Sequence, residues 1–504
     1  MSSHPQKTIN FIITSTVLGV VLYLLYPFAQ TIYAQYDGDA KRTQYYQYTM
    51  QQPITVSGSI GQTPATAVPI LMYHGVVDHV DIENTTQKNF IAQMEMLKAQ
   101  GYQTITVQQM DDAFHGKFVL PPKPIIITFD DGRKDSYYST DDIFRTLGFN
   151  ATLFAATIKA NINDKFYLGW DELRTMHDSG RWELEAHGRN SHEKVRNSFP
   201  DSEGRFLTSR IYSFVNGLET VQQFKTRVEQ DYRDGIDDIK KNLGIDPHYF
   251  AVPLNDYGEK INSNYPGAVE FNQLLTKKYF DYAFVEAVNN VDSFYNFPDD
   301  DPHRLMRIEV KNMSADDLKT ILERGAPPPH NLTLSGADPK SFERYATASY
   351  GSILVDSQGL HMLPTVRGNT VKVVFGDRHW NNYAVTAEFA RPNTRTVSLL
   401  AYHADNNNYL SFGVTDTKTI FLREVYNGTE TDLFANTPVD LGDINDFTLT
   451  LTVTNQLASG YVNGKHIFVD MPVSNSKGQA GVKTWTDTLS GHVILKSIEF
   501  SSNQ

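Results

Sequence analysis

The chain has 504 residues, 40% apolar and 20% charged, enough length and hydrophobic content for two to four packed domains. Its net charge is -13 with no long basic run, which argues against a nucleic-acid partner. It has no cysteine, so disulfides, thiolate metal sites, a cysteine nucleophile and a lipid-modified cysteine are excluded.

From Thr8 to Tyr36 there is no charged residue, and the centre reads FIITSTVLGVVLYLLYPFA. A bilayer core takes about 20 mostly apolar residues, so residues 1–36 read as a cytoplasmic tip and a transmembrane anchor. Lys7 before the span and Asp37 and Asp39 after it favour a cytoplasmic N-terminus. A cleaved signal peptide is the alternative; either way the remainder is expected outside the cytoplasm, at the cell membrane. Residues 37–66, rich in Gln, Thr, Ser, Gly and Tyr, read as a stalk.

At Ala67 the character changes. AVPILMYHGVV is strand-like, and TQKNFIAQMEMLKAQGY has helical spacing at Phe90, Met94 and Leu97 before stopping at Gly101. PIIITF is a continuous apolar run, as in a strand buried on both faces. The alternation continues through the strands NATLFAAT, RWELEAH, HYFAVP and RLMRIEV, with helical segments such as GWDELRTMHDSG and TVQQFKTRVEQDYRDGIDDIKKNLG between them. Such alternation predicts parallel βαβ units over 67–325 and a β/α barrel, closed with about eight units and distorted with fewer. The proline run of APPPHN marks 326–340 as a linker. Beyond it the period switches to two: FTLTLTV alternates apolar residues with threonine, and VNGKHIFV carries an Asn-Gly hairpin signal. Residues 341–504 read as an all-β sandwich of jelly-roll type.

Three strand ends carry chemistry. PIIITF runs into Asp130, Asp131 and Gly132; RWELEA runs into His187, with His192 five residues on; ILMY runs into His74. In parallel α/β folds the C-terminal ends of strands line the functional face. Taken singly, Asp-Asp-Gly reads as a turn and each histidine as a hydrogen-bonded loop residue. Together, two histidines and a carboxylate make a facial triad for a first-row divalent ion.

TFDDG with a downstream histidine pair resembles the NodB-type polysaccharide deacetylases, carbohydrate esterase family four. ILMYH, GWDEL and the His-x4-His spacing are similar to the branch acting on poly-N-acetylglucosamine of biofilm exopolysaccharides. The resemblance covers roughly residues 67–325. It implies Asp130 as general base, Asp131, His187 and His192 as ligands of Zn²⁺ (or Co²⁺ or Ni²⁺), and His74 as general acid, in a branch whose motifs look circularly permuted. The family's third motif has an arginine before an aromatic-proline pair; here YFAVP has Pro253 but no arginine, and Arg307 of LMRIEV is the candidate to restrain Asp130. Trp170 and Pro253 are candidates for lining a substrate groove. The sandwich resembles concanavalin-like or laminin-G-like modules, with Trp380, Tyr383, Tyr409 and Trp485 as candidate glycan contacts.

The chemistry suits an amide. A divalent ion lowers the pKa of bound water from about 15.7 to about 7, a free carboxylate accepts its proton, and an imidazolium supplies one to the departing amine. The expected function is deacetylation of an N-acetylglucosamine-containing exopolysaccharide at the cell surface, beside the machinery that makes it. Peptidoglycan or chitin deacetylation, O-acetyl ester hydrolysis, and a non-catalytic glycan-binding protein are the competing readings.

Overall fold

A computed structural model describes residues 40–56, 64–199, 202–258, 263–287, 294–326, 331–365, 370–438 and 446–502, with isolated positions among 26–38. The apolar segment read as a membrane anchor lies outside the described residues; among those described, no helix is long and apolar enough to cross a membrane. The chain forms two compact units that part at Thr320 and Ile321.

The first unit is built on strands β1 (Val68–Tyr73), β2 (Pro124–Phe129), β3 (Ala151–Ala155), β4 (Trp182–Ala186), β5 (Tyr249–Ala251), β6 (Tyr282–Glu286) and β7 (Leu305–Glu309). Neighbours pair in parallel, and β1 pairs with both β2 and β7, so these seven strands close a ring. The expected barrel is present, with seven strands rather than eight. The seam between β4 and β5 is thin, a single registered pair of Phe250 with Ala186. VPILMY and PIIITF are buried throughout, because one face meets the lumen and the other the surrounding helices.

Helix α1 (Gln87–Ala99) starts at a Thr86 cap and buries Phe90, Met94 and Leu97, the stripe its spacing predicts. Helix α2 (Val107–Phe114) sends Val107 and Met110 into the lumen cluster of Val68, Ile70, Ile126, Phe284 and Leu305. It thereby stoppers the N-terminal end of the barrel, leaving the C-terminal end for function. Helix α3 (Trp170–Asp178) follows Gly169. Helix α4 (Val221–Leu243) is held by a capping box between Thr220 and Gln223 and ends at left-handed Gly244.

Two sequence readings change, and one unread stretch gains structure. Part of the stalk lies against the barrel: the Tyr46 amide donates to the Tyr138 carbonyl, the Tyr48 amide to Asp142, and the Tyr48 hydroxyl to Glu95. Part of the 326–340 linker is structured: Leu332–Ser335 pairs antiparallel with His492–Ser502, so the sandwich begins before residue 341. The stretch after His192, for which no element was expected, contains two small hairpins, Lys194–Ser198 with Ser202–Arg205 and Tyr212–Ser213 with Gly217–Leu218.

The second unit is a β-sandwich of an eight-stranded and a seven-stranded antiparallel sheet around one core. Asp446–Thr454 buries Phe447, Leu449, Leu451 and Val453, as its alternation requires. Asn463 and Gly464 both take positive φ, the two-residue hairpin turn their pairing signals.

Candidate active site

Asp130 follows β2 at the open end of the ring, its amide bonded to the Tyr73 carbonyl. Its carboxylate is 3% exposed and meets the fully buried guanidinium of Arg307 on β7 in a fork, Nη1 to Oδ1 at 2.7 Å and Nη2 to Oδ2 at 2.8 Å. Arg307 Nη1 also donates to Thr128 Oγ1 at 3.2 Å, which orients the guanidinium. Burial pushes the Asp130 carboxyl up, but the Arg307 charge, with His187 and His74, outweighs it and holds the group well below the usual carboxylate range. Asp130 is therefore ionised at any physiological pH.

Asp131 and Gly132 both adopt left-handed backbone, φ 74° and 81°. Aspartate tolerates this region better than most residues, and the reversal turns Asp131 away from its neighbour. The two like charges that end an apolar strand thus serve different sites. Asp131 Oδ1 is buried and has no hydrogen-bond partner. It lies 3.6 Å from His187 Nε2 and 3.1 Å from His192 Nε2, and these ligand atoms fall within 4.8 Å of one another.

His187 follows β4 and is fully buried. Its Nδ1 lies 2.8 Å from the Ala251 carbonyl, an acceptor only, so the proton is on Nδ1 and Nε2 is unprotonated, 2.8 Å from His192 Nε2. Burial, opposed by Asp130 and reinforced by His192, lowers this imidazole to about 4, so it is neutral at pH 7. A carboxylate oxygen without a hydrogen-bond partner and two converging imidazole nitrogens fit a divalent metal cation.

Helix α4 holds the loop that carries both histidines. Asp231 accepts from the amides of Arg189 and Asn190 and from Asn190 Nδ2, and Ser191 Oγ donates to the His187 carbonyl. Gly235 packs against the same loop: a Cβ there would stand 3.2 Å from the Gly188 carbonyl carbon and 3.3 Å from the Arg189 nitrogen. Neither residue is among the expected site residues. The available signal was an acid and a glycine within the buried stripe Phe224, Val228, Asp231, Gly235 of an amphipathic helix.

His74 ends β1, half-buried, with its carbonyl accepting from Ser136 Oγ. It lies within electrostatic reach of Asp130 and of Glu286 at the end of β6. Burial, against the pull of Arg307, raises the Glu286 carboxyl. Tyr167 stands near Asp131; burial and the Asp131 charge push its phenol up to about 12, so it is a neutral donor beside the cluster. Pro253 is buried in the turn after β5, next to left-handed Leu254 and Asn255, and Asn255 braces the Glu286 backbone. Trp170 is not drawn into the ligand cluster: it packs on the hydrophobic cluster beneath α4 and donates to Asn161. In the sandwich, Trp380 and Tyr383 are core residues, whereas Tyr409 and Trp485 line a surface hollow.

A seven-stranded parallel barrel with a two-histidine, one-carboxylate cluster beside a separate ionised aspartate, all on loops at its C-terminal end, defines a hydrolase-type site. Residues 119–265 match the polysaccharide deacetylase family, and the chain carries a deacetylase domain of that kind. Among curated proteins, a poly-beta-1,6-N-acetyl-D-glucosamine N-deacetylase of Escherichia coli (strain K12) is 24% identical over 181 residues, 33% of this chain and 26% of that protein. YxkH of Bacillus subtilis (strain 168) is 31% identical over 113 residues, 22% of this chain and 39% of that protein. The chain thus spans well under half the length of the curated relatives it matches. A solved de-N-acetylase from Aggregatibacter actinomycetemcomitans is 21% identical, covers 51% of this chain and 100% of its own, and superposes with a TM-score of 0.44.

Proposed function

We propose that the barrel is a metal-dependent N-deacetylase of an N-acetylglucosamine-containing exopolysaccharide, acting outside the cell from a membrane anchor in residues 1–36. The observation that carries this reading is the pairing of a ligand cluster, Asp131, His187 and His192, with the ionised Asp130 that takes no part in it. A bound Zn²⁺, Co²⁺ or Ni²⁺ would polarise the acetyl oxygen and acidify water there.

The remaining work falls to the chain. Asp130 keeps unshared electron pairs while both oxygens accept from Arg307, so it takes the proton of the attacking water from a fixed position. Oxygen joins the acetyl carbon, the carbon–nitrogen bond breaks, and the amine leaves with a proton from His74, giving acetate and a glucosamine unit. Tyr167 is a neutral donor near where negative charge collects. The naming of the Escherichia coli relative for poly-beta-1,6-N-acetyl-D-glucosamine supports that polymer over peptidoglycan or chitin.

The test is acetate release from poly-N-acetylglucosamine, peptidoglycan and chitin oligomers, before and after chelation and with metal restored. The expected result is release from the first polymer, lost on chelation and restored by Zn²⁺. Asp130→Asn is expected to lose activity by at least about a hundredfold while still binding metal, and His187→Ala to lose both. Activity indifferent to chelation would sink the metal mechanism, and near-full activity in Asp130→Asn would remove the base.

A further inference from the structure

We propose that the outer face of the seven-stranded sandwich sheet is a binding site for an acidic sugar, a glycan unit carrying a carboxylate. This stands apart from the barrel's chemistry and would survive the failure of the deacetylase reading. The site is a hollow of about 350 Å³, within the size range of small-ligand sites, walled by Tyr350, Lys372, His403, Asn406, Tyr409 and Lys483.

Its polar groups are arranged to donate. Lys372 Nζ lies 2.9 Å from His403 Nε2 and 2.8 Å from Asn406 Oδ1. An ammonium only donates, so His403 Nε2 accepts. Burial and the Lys372 charge lower this imidazole to about 4, so the ring is neutral and its single proton sits on Nδ1. His403 is 6% exposed, so its ring is a fixed support for the Lys372 ammonium. Lys483 adds a second ammonium, 3.1 Å from the Tyr409 hydroxyl. No carboxylate is among the residues lining this hollow.

The aromatic groups suit a sugar ring better than a bare anion. Tyr350 is 44% exposed, bonded to Asn406 through its hydroxyl, and Lys372 lies over its ring. Tyr409 forms a second flat wall, its ring 5.9 Å from His403. A further hollow of about 330 Å³ shares Tyr409 and Lys483 with the first and is also lined by Trp485, 41% exposed, and by Arg423 paired with Asp432. A groove two hollows long, with an exposed indole in its lining, fits several linked units. The two lysines select the charge: a deacetylated glucosamine chain, itself cationic, would be repelled, whereas a uronate would be attracted.

The test is calorimetric titration of the full chain with a galacturonate trimer, an N-acetylglucosamine trimer, a glucosamine trimer and inorganic phosphate. The galacturonate is expected to bind at least about tenfold more tightly than either glucosamine ligand, and more weakly as salt is raised, as a screened charge contact must. Lys483→Gln, at a half-buried position, and His403→Gln are each expected to cut that affinity about tenfold with acetate release unchanged. Equal binding of the neutral trimer, indifference of folded Lys483→Gln, or phosphate binding as tightly as the uronate would each overturn the assignment.

Discussion

Arg307 decides what Asp130 can be. A buried carboxylate without a partner would rise in pKa and hold a proton at neutral pH; the forked guanidinium reverses that. The sign of the linkage follows. A carboxyl depressed in the fold contributes stability above its unfolded pKa, and loses it only as pH falls through the depressed value. Arg307→Lys keeps a charge but loses the fork. Its acetate-release profile is expected to show an acid limb at higher pH than the parent, with kcat reduced and the fold retained. Arg307→Met strands Asp130 in the lumen and is expected to cost about 3–5 kcal/mol in denaturant unfolding. An unshifted acid limb in Arg307→Lys would mean that the fork does not set the ionisation of Asp130. Arg307 was singled out in the sequence as the candidate to restrain Asp130 only through the family resemblance; spacing alone could not pair them, because the two residues lie 177 positions apart and meet only when β1 closes the ring.

At the level of elements, α4 serves the site through a face that carries no ligand. Gly235 lets the helix approach the Gly188–Arg189 backbone, and Asp231 beside it ties down the Arg189 and Asn190 amides. Gly235→Ala sets two effects against each other. Alanine favours the helix by up to about 1 kcal/mol, while its Cβ, 3.2 Å from the Gly188 carbonyl carbon, pushes the histidine loop aside. The expected outcome is a variant that unfolds at the same or higher temperature yet binds Zn²⁺ roughly tenfold more weakly, the scale of disturbance beyond the ligands themselves. Unchanged Zn²⁺ affinity would show that the loop tolerates the methyl. The helical stripe was readable from its period, but the surface that covers it was not. The stripe reports only that something is buried, and an acid or glycine within it acquires meaning once the loop lies against it. The strand Leu332–Ser335 was missed for a related reason: four residues after a proline run carry too short a pattern to show, and their pairing is with a strand at the far end of the chain.

For the molecule as a whole, strand-helix alternation was enough to expect a parallel ring but not its count. HYFAVP announced β5, three residues long in the fold, but β6 lies in a tyrosine- and phenylalanine-rich stretch whose alternation is weak and was not among the strands read. The division into two units has a thermodynamic consequence. Asp131, His187 and His192 all belong to the first unit, so a metal bound there stabilises that unit and not the sandwich. A ligand at about a thousand times its Kd adds about 4 kcal/mol, which for a domain of this size raises Tm by roughly 10 °C. Scanning calorimetry of the chain with Zn²⁺ and then with chelator is expected to show one transition falling by that order while the other stays in place. Lys483→Gln, in the sandwich, should leave the metal-sensitive transition where it was. If both transitions move together on chelation, the units unfold as one cooperative body, and the sandwich contributes to the stability of the barrel that holds the site.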